Sequence, residues 1–327
     1  MSFISYAQNL EDVLLWRALR GVEKGFFIDV GANHPKVDSV TYAFYERGWS
    51  GINLEPEARS FEQLQTVRPR DINLKVAAGE RVTTLPLYDF GVRGLTTISQ
   101  DVADRHVRAG LRIGSFLEVP VVPLSDVCAQ HVRGDIHFLK IDVEGSETGV
   151  IRGMDLSRWR PWIMVVEATI PNTQEPSHLE WDPLLTAAQY RFVHFDGLSR
   201  YYVSEERFEA LGPSFSRGPN IFDDYAPAAL IEARADLAKA KRQFDDLQMS
   251  LEQPFLRSRV RQLESQLAAA QRDLVAAREA FAESEASEKD ARRLAVAVAE
   301  RLKSFENHPY FKTMTSLRSM FRKAQKR

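Results

Sequence analysis

The chain has 327 residues, 44% of them hydrophobic and 27% charged, with a formal charge of −2 at pH 7. That length and apolar content exclude a small or disordered protein and suffice for one or two domains plus an appendage, while the balanced charge means that any basic surface must be local. The single cysteine, Cys128, excludes an internal disulfide framework, and no Cys/His spacing of the structural-zinc kind is present.

The opening MSFISYAQNLEDVLLW carries acids where a secretory signal has its apolar stretch, and no run approaches the ~20 apolar residues of a membrane span, so the expected address is the cytoplasm. From Met1 to about Tyr225 short apolar runs alternate with helical patterns, as in α/β units. FFIDV, GINLEP, INLKVAA, HFLKIDV, WIMVVEA, RFVHFD and YYVS are the expected strands. TTLPLYDF and FLEVPVVPL read as extra strands between the third and fourth, and the Gly-rich DFGVRGLTTIS between them as a loop over the active face.

FFIDVGANHP places Asp29 at a strand end and Gly31 in a tight strand-to-helix turn. A nicotinamide domain of this type would want G-x-G-x-x-G for its pyrophosphate, but Ala32, Asn33 and Pro35 follow Gly31. The turn suits a ligand without pyrophosphate, and the acid suits one with an ammonium group. The next strand ends at Glu55, where an acid accepts hydrogen bonds from both hydroxyls of a ribose. The pair fits S-adenosylmethionine.

In FLKIDVEGSE, Leu139, Ile141 and Val143 share one face while Lys140, Asp142 and Glu144 share the other. Asp142 and Glu144 end the fourth strand and Glu167, in VVEAT, ends the fifth, which puts all three at the binding crevice of an open α/β sheet. The plain alternative, helix capping with Lys140 as an ion-pair partner, is preferred for Glu147 and not for Asp142 or Glu144. These carboxylates could collect an oxygen-preferring cation, but clustered acids alone do not define one, and no metal is assigned. His34, His137 and His194 are further candidate bases, with His137 at the wrong end of its strand; Trp49 and Trp162 read as core.

Near residue 226 Gly disappears and Ala, Glu, Arg, Gln and Leu take over. Leu230, Leu237, Phe244, Leu247 and Leu251 follow heptad spacing, Pro254 interrupts, and Leu256, Val260, Leu263, Leu267, Ala270, Leu274, Ala277 and Phe281 resume it. The same register collects Ala291, Ala295, Val298, Leu302 and Phe305, so 226–306 reads as a coiled coil that makes the protein a homo-oligomer, dimer first. From 307 to 327 there are six Lys/Arg and no acid, with Phe311, Met314, Leu317 and Phe321 able to share a helical face. This basic amphipathic tail is expected to touch the inner face of the plasma membrane; nucleic acid is the less favoured partner and a solvated end the plain alternative.

The segments GFFIDVGANHPKVDSVTYAFYERGWSGINLEPE and HFLKIDVEGSETGVIRGMDLSRWRPWIMVVEAT, with the opening SYAQNLEDVLLWRAL, resemble the FkbM family of S-adenosylmethionine-dependent methyltransferases over about residues 5–205. The resemblance implies a class I methyltransferase fold, a Rossmann-like seven-stranded sheet whose last strand is antiparallel, spanning 1–225. It places Asp29, Gly31 and Asn33 in the first cofactor loop, Glu55 on the ribose, and Asp142 and Glu144 in the family's K-I-D-x-E-G signature. It also implies O-methylation of a sugar hydroxyl in a glycan, lipid-linked glycan or related metabolite, with polysaccharide biosynthesis as the setting. Asp142 is the candidate at the cofactor end, Glu144 the candidate base and Glu167 a second carboxylate beside it. The rivals are a nicotinamide oxidoreductase, which lacks its glycines, and an inactive scaffold whose function is the coil.

Overall fold

The structure is a computed structural model and describes residues 2–248 and 254–283 apart from 93 and 172, with side chains up to 246 and from 261 to 276. The strands in chain order are β1 Phe3–Ser5, β2 Phe26–Val30, β3 Ser50–Leu54, β4 Ile72–Leu74, β5 Ala77–Ala78, β6 Thr83–Asp89, β7 Ser115–Val122, β8 Phe138–Ile141, β9 Ile163–Glu167, β10 Tyr190–Phe195, β11 Ser199–Ser204 and β12 Tyr225–Pro227. The chain divides into two compact units, one covering Ser5–Pro219 and one combining the N-terminal residues through Ile4 with the described residues from Asn220 onward.

The first unit is built on a seven-stranded sheet in the order β10-β11-β9-β8-β2-β3-β4. Parallel pairing runs from β4 through β3, β2 and β8 to β9, and β11 is antiparallel to both its neighbours. This is the expected seven-stranded mixed sheet with its last strand antiparallel. Order reverses between β2 and β8, which opens a crevice at the carboxyl ends of the parallel strands. The strands are near-continuous apolar runs because helices cover both faces. Ile28, Ile52, Leu139, Met164 and Val166 point into one core, and Phe27, Phe138, Ile163 and Val165 into the other with Phe44 and Trp49.

INLKVAA was expected to be one strand, and it divides. Residues 72–74 extend the main sheet as β4, whereas β5 leaves it to pair with β7. The second sheet, ordered β5-β7-β6, combines that half-strand with β6 and β7, the two extra strands that the sequence places between the third and fourth main strands. Helix α4, introduced below, follows its loop.

Helices α1 Glu11–Leu19, α2 Tyr42–Glu46, α3 Ala58–Val67, α4 Gln100–Arg108, α5 Leu124–His131, α6 Glu147–Arg152, α7 Asp182–Ala187 and α8 Phe208–Leu211 complete this unit. In the second unit, helices α9 Ala228–Gln248 and α10 Pro254–Glu283 pack on each other through Ala233, Leu237 and Leu274, flanked by Leu230, Ala240 and Leu267. Pro254 takes the first helical position, where a missing N–H is harmless. The seam expected beyond residue 283 and the basic tail lie outside the described residues. Among the described residues no helix is long and apolar enough to cross a membrane.

Candidate active site

Sheet register assembles the site. The row Leu54–Val30–Ile141–Val166 pairs across β3, β2, β8 and β9. The next row, at the carboxyl ends, is Glu55, Gly31, Asp142 and Glu167. Four residues far apart in sequence, each singled out for its strand-end position, thus stand side by side over the crevice.

Gly31 is at the centre and its identity is forced twice. Its φ is +79°, and a Cβ there would lie 1.8 Å from the Asp142 carbonyl oxygen. Only glycine lets the turn cross the end of β8 this closely. The next turn residue, Asn33, is also left-handed at φ 48° and donates its N–H to Glu55 Oε2 at 2.7 Å. Glu55 Oε1 accepts from the Glu57 amide at 2.8 Å, and burial pushes this carboxyl up to about 7. Each Glu55 oxygen retains acceptor capacity beyond these contacts, as a ribose diol requires.

Asp29 lies beneath the turn, 1% exposed. Its Oδ2 accepts the Thr41 hydroxyl at 2.7 Å, and Lys140 Nζ is 3.5 Å from Oδ1. The same ammonium donates to the Gly31 carbonyl at 3.0 Å and pairs with Asp142 Oδ2 at 3.2 Å. Burial acts to lower the Lys140 pKa, but Asp142 and Asp29 outweigh it and hold the group above its ordinary value. Lys140 therefore clamps the Gly31 turn to the end of β8, a role beyond the ion-pair partnership read from sequence.

Opposite Glu55, one carboxylate oxygen each from Asp142, Glu144 and Glu167 lie within 4.8 Å of one another. Burial, with Asp142 and Glu147 next, pushes Glu144 up to about 9. Burial, with Asp142 and then Glu144 next, also drives Glu167 well above its ordinary value. Glu144 sits at φ 53°, and its carbonyl accepts the Thr97 hydroxyl at 2.8 Å. The insert's loop and α4 thus hold the acidic turn: a Cβ on Gly145 would meet Val102 Cγ2 at 2.6 Å. The insert expected over the active face packs on the turn that carries Glu144.

Glu147 is expected to cap the following helix, but α6 has no side-chain cap bond; its carboxylate instead turns back to accept from the Val143 and Gly145 amides at 3.2 and 3.1 Å, bracing the acidic turn. His34 Nδ1 accepts from the Lys36 and Val37 amides. His137 Nδ1 accepts from the Phe26 amide at the far end of the sheet, with its ring between Trp49 and Trp162. Trp49 is core as read, and Trp162 is partly buried under Arg207. Sequence reasoning missed Thr41, Thr97 and Arg68. Arg68 is fully buried, paired with Asp71 at 2.7 Å and donating to Thr41 Oγ1 at 2.8 Å, so it supports Asp29 from behind. "VRPRD" carries no motif that would have exposed it.

This topology, with a single-glycine turn at the switch point and an acid ending the neighbouring strand, defines a Rossmann-like methyltransferase. The family described as the methyltransferase FkbM domain matches residues 29–192, and the chain belongs to it. It is a methyltransferase, and the cofactor of this family is S-adenosyl-L-methionine. No curated protein matches the chain.

Proposed function

We propose that the protein O-methylates a hydroxyl of a sugar, in a glycan, a lipid-linked glycan or a related metabolite. The observation that carries this reading is the row of strand ends, with Glu55 on one side of the Gly31 turn and the Asp142, Glu144 and Glu167 carboxylates on the other. In this reading the narrow turn at Gly31 leaves Glu55 for the ribose, and Asp142, beside the turn, holds the cofactor end of the acidic side. Asp29 and Asn33 shape this loop from beneath and beside it. When bound, S-adenosylmethionine supplies an electrophilic methyl group.

The acceptor side must orient a hydroxyl and remove its proton, and carboxylates do both. Glu144, on the turn held by the insert, is our candidate base, with Glu167 beside it and Asp142 bridging to Lys140. Several carboxylates also match a polyhydroxylated acceptor, whose O–H groups are donors. A base in this position contributes ~10²- to 10⁴-fold to turnover.

Calorimetry on the full-length protein tests the cofactor half. Wild type should bind S-adenosylmethionine and S-adenosylhomocysteine, and Glu55→Gln should bind about 10- to 100-fold more weakly, the worth of a hydrogen bond to a charged group. Equal affinities would displace Glu55 from the ribose. Comparing the cell-surface glycans with and without the gene by mass spectrometry tests the acceptor half: one methyl should be missing per affected sugar, and unchanged glycans would overturn that substrate class.

A further inference from the structure

We propose that Asp142, Glu144 and Glu167 form a binding site for one oxygen-preferring divalent cation, whose open positions face the acceptor. The inference rests on the crevice assignment above and extends it to a metal. Clustered acids could be no more than a polar surface, but Glu167 differs. It is 8% exposed, and its Oε2 is buried with no hydrogen-bond partner. A buried carboxylate with one oxygen unpartnered, contributing an oxygen to a cluster with two further carboxylates, is a costly arrangement unless a proton or a cation sits among them.

Geometry favours the cation. Two oxygens on one ion lie at most twice the metal–oxygen distance apart, which is ~4.2 Å for Mg²⁺ and ~4.6–5.2 Å for Ca²⁺. The three oxygens lie within 4.8 Å of one another, so they reach around a Ca²⁺-sized ion as placed and a smaller ion after slight contraction. An all-oxygen set without His or Cys selects Mg²⁺, Ca²⁺ or Mn²⁺ over zinc or copper. Lys140 does not fill the role, because its ammonium is turned to Asp29, to the Gly31 carbonyl and to Asp142 Oδ2.

Sheet register fixes the pair at the heart of the site. Asp142 and Glu167 end adjacent parallel strands, which lie ~4.8 Å apart. Glu144 is brought in by the left-handed turn that Thr97 holds. Three ligands leave positions for water or for acceptor oxygens, and a hydroxyl on such an ion loses its proton more readily than in water. A carboxylate bound through one oxygen keeps its second, so Glu144 can ligate and still receive a proton.

The test is direct binding to full-length, chelator-treated protein. Titration with Mn²⁺ followed by electron paramagnetic resonance, and with Mg²⁺ and Ca²⁺ by calorimetry, should give about one ion per chain with a dissociation constant below about 1 mM. Glu167→Gln should weaken it about 10- to 100-fold, while a change at the exposed Asp101 in the first turn of α4, Asp101→Asn, should leave it unchanged. If circular dichroism shows Glu167→Gln unfolded, Glu144→Gln, on the turn, carries the same expectation. No stoichiometric binding by wild type, or equal binding by the folded variants, overturns the site. S-adenosylmethionine affinity measured on the same samples separates the two readings: its loss in wild type sinks the crevice assignment, whereas retained cofactor binding without an ion sinks the metal alone.

Discussion

Glu11 opens α1, a position where an acid ordinarily faces water and complements the helix dipole, yet here it is 4% exposed. Its Oε2 accepts the Asn9 amide at 2.7 Å. Burial, with the Asp196 carboxylate second, pushes its pKa up to about 8. Burial also raises Asp12 to about 7, against the hydrogen bonds it accepts from Ser5, Tyr6 and Ala7. Unfolded carboxyls titrate near 4, so between about pH 4 and pH 8 the folded chain holds protons that the unfolded chain has lost. The contribution of these acids to stability is greatest at the low end of that window and is lost as pH rises through it. The melting temperature should therefore fall between about pH 5.5 and pH 8.5. Glu11→Gln keeps an acceptor for the Asn9 amide and cannot ionise, so it should recover on the order of 1–3 kcal/mol at the upper pH. Melts followed by circular dichroism check this; a variant that tracks wild type at every pH would mean that Glu11 is already charged in the neutral fold.

Among the elements, the insert contributes more than coverage, because it fixes the backbone that presents Glu144. Thr97 is 1% exposed and bonds the Glu144 carbonyl, while α4 rests on Gly145. Thr97→Val keeps the side chain's shape and removes that bond together with the one its hydroxyl accepts from the Ser99 amide at 2.9 Å, so it should destabilise the protein by about 2 kcal/mol. It should also speed hydrogen exchange at residues 143–146 while leaving S-adenosylmethionine affinity unchanged, since Glu55 and Gly31 are untouched. Exchange as slow as wild type would show that the turn holds itself. Every main strand was legible because buried parallel strands are short apolar runs and their last polar residue marks the crevice, which is why Asp29, Glu55, Asp142 and Glu167 could be picked from sequence. INLKVAA misled because an unbroken apolar pattern cannot reveal which sheet each half joins. Glu11 and Asp12 look like ordinary first-turn acids, and the Thr41–Arg68 hydrogen bond spans 27 residues that share no local pattern. Burial and long-range pairing are properties of the assembled sheet, so neither leaves a trace in spacing.

Over the whole molecule, the helical unit is where the number of chains is expected to be decided. The heptad stripe needs a partner, because a narrow apolar seam on a lone helix is unstable in water. Part of that partner is intramolecular: α9 and α10 bury Ala233, Leu237 and Leu274 between them. The lengths do not match, however. With 21 residues α9 reaches ~32 Å, against ~45 Å for the 30 residues of α10. At least ~13 Å of α10 therefore extends beyond what α9 can cover, and the seam read from sequence continues past it to Phe305. The expectation that follows is a homo-oligomer, dimer first, formed by the uncovered seam. Truncation after residue 283 should weaken association, and truncation after residue 225 should abolish it and leave a monomer that still binds S-adenosylmethionine. Multi-angle light scattering at micromolar concentration on the three lengths decides the matter. A monomeric full-length protein would mean that the α9–α10 pairing satisfies the stripe by itself, whereas a dimer that persists after residue 225 is made the last residue would move the interface to the methyltransferase unit and leave the coil without a role in assembly.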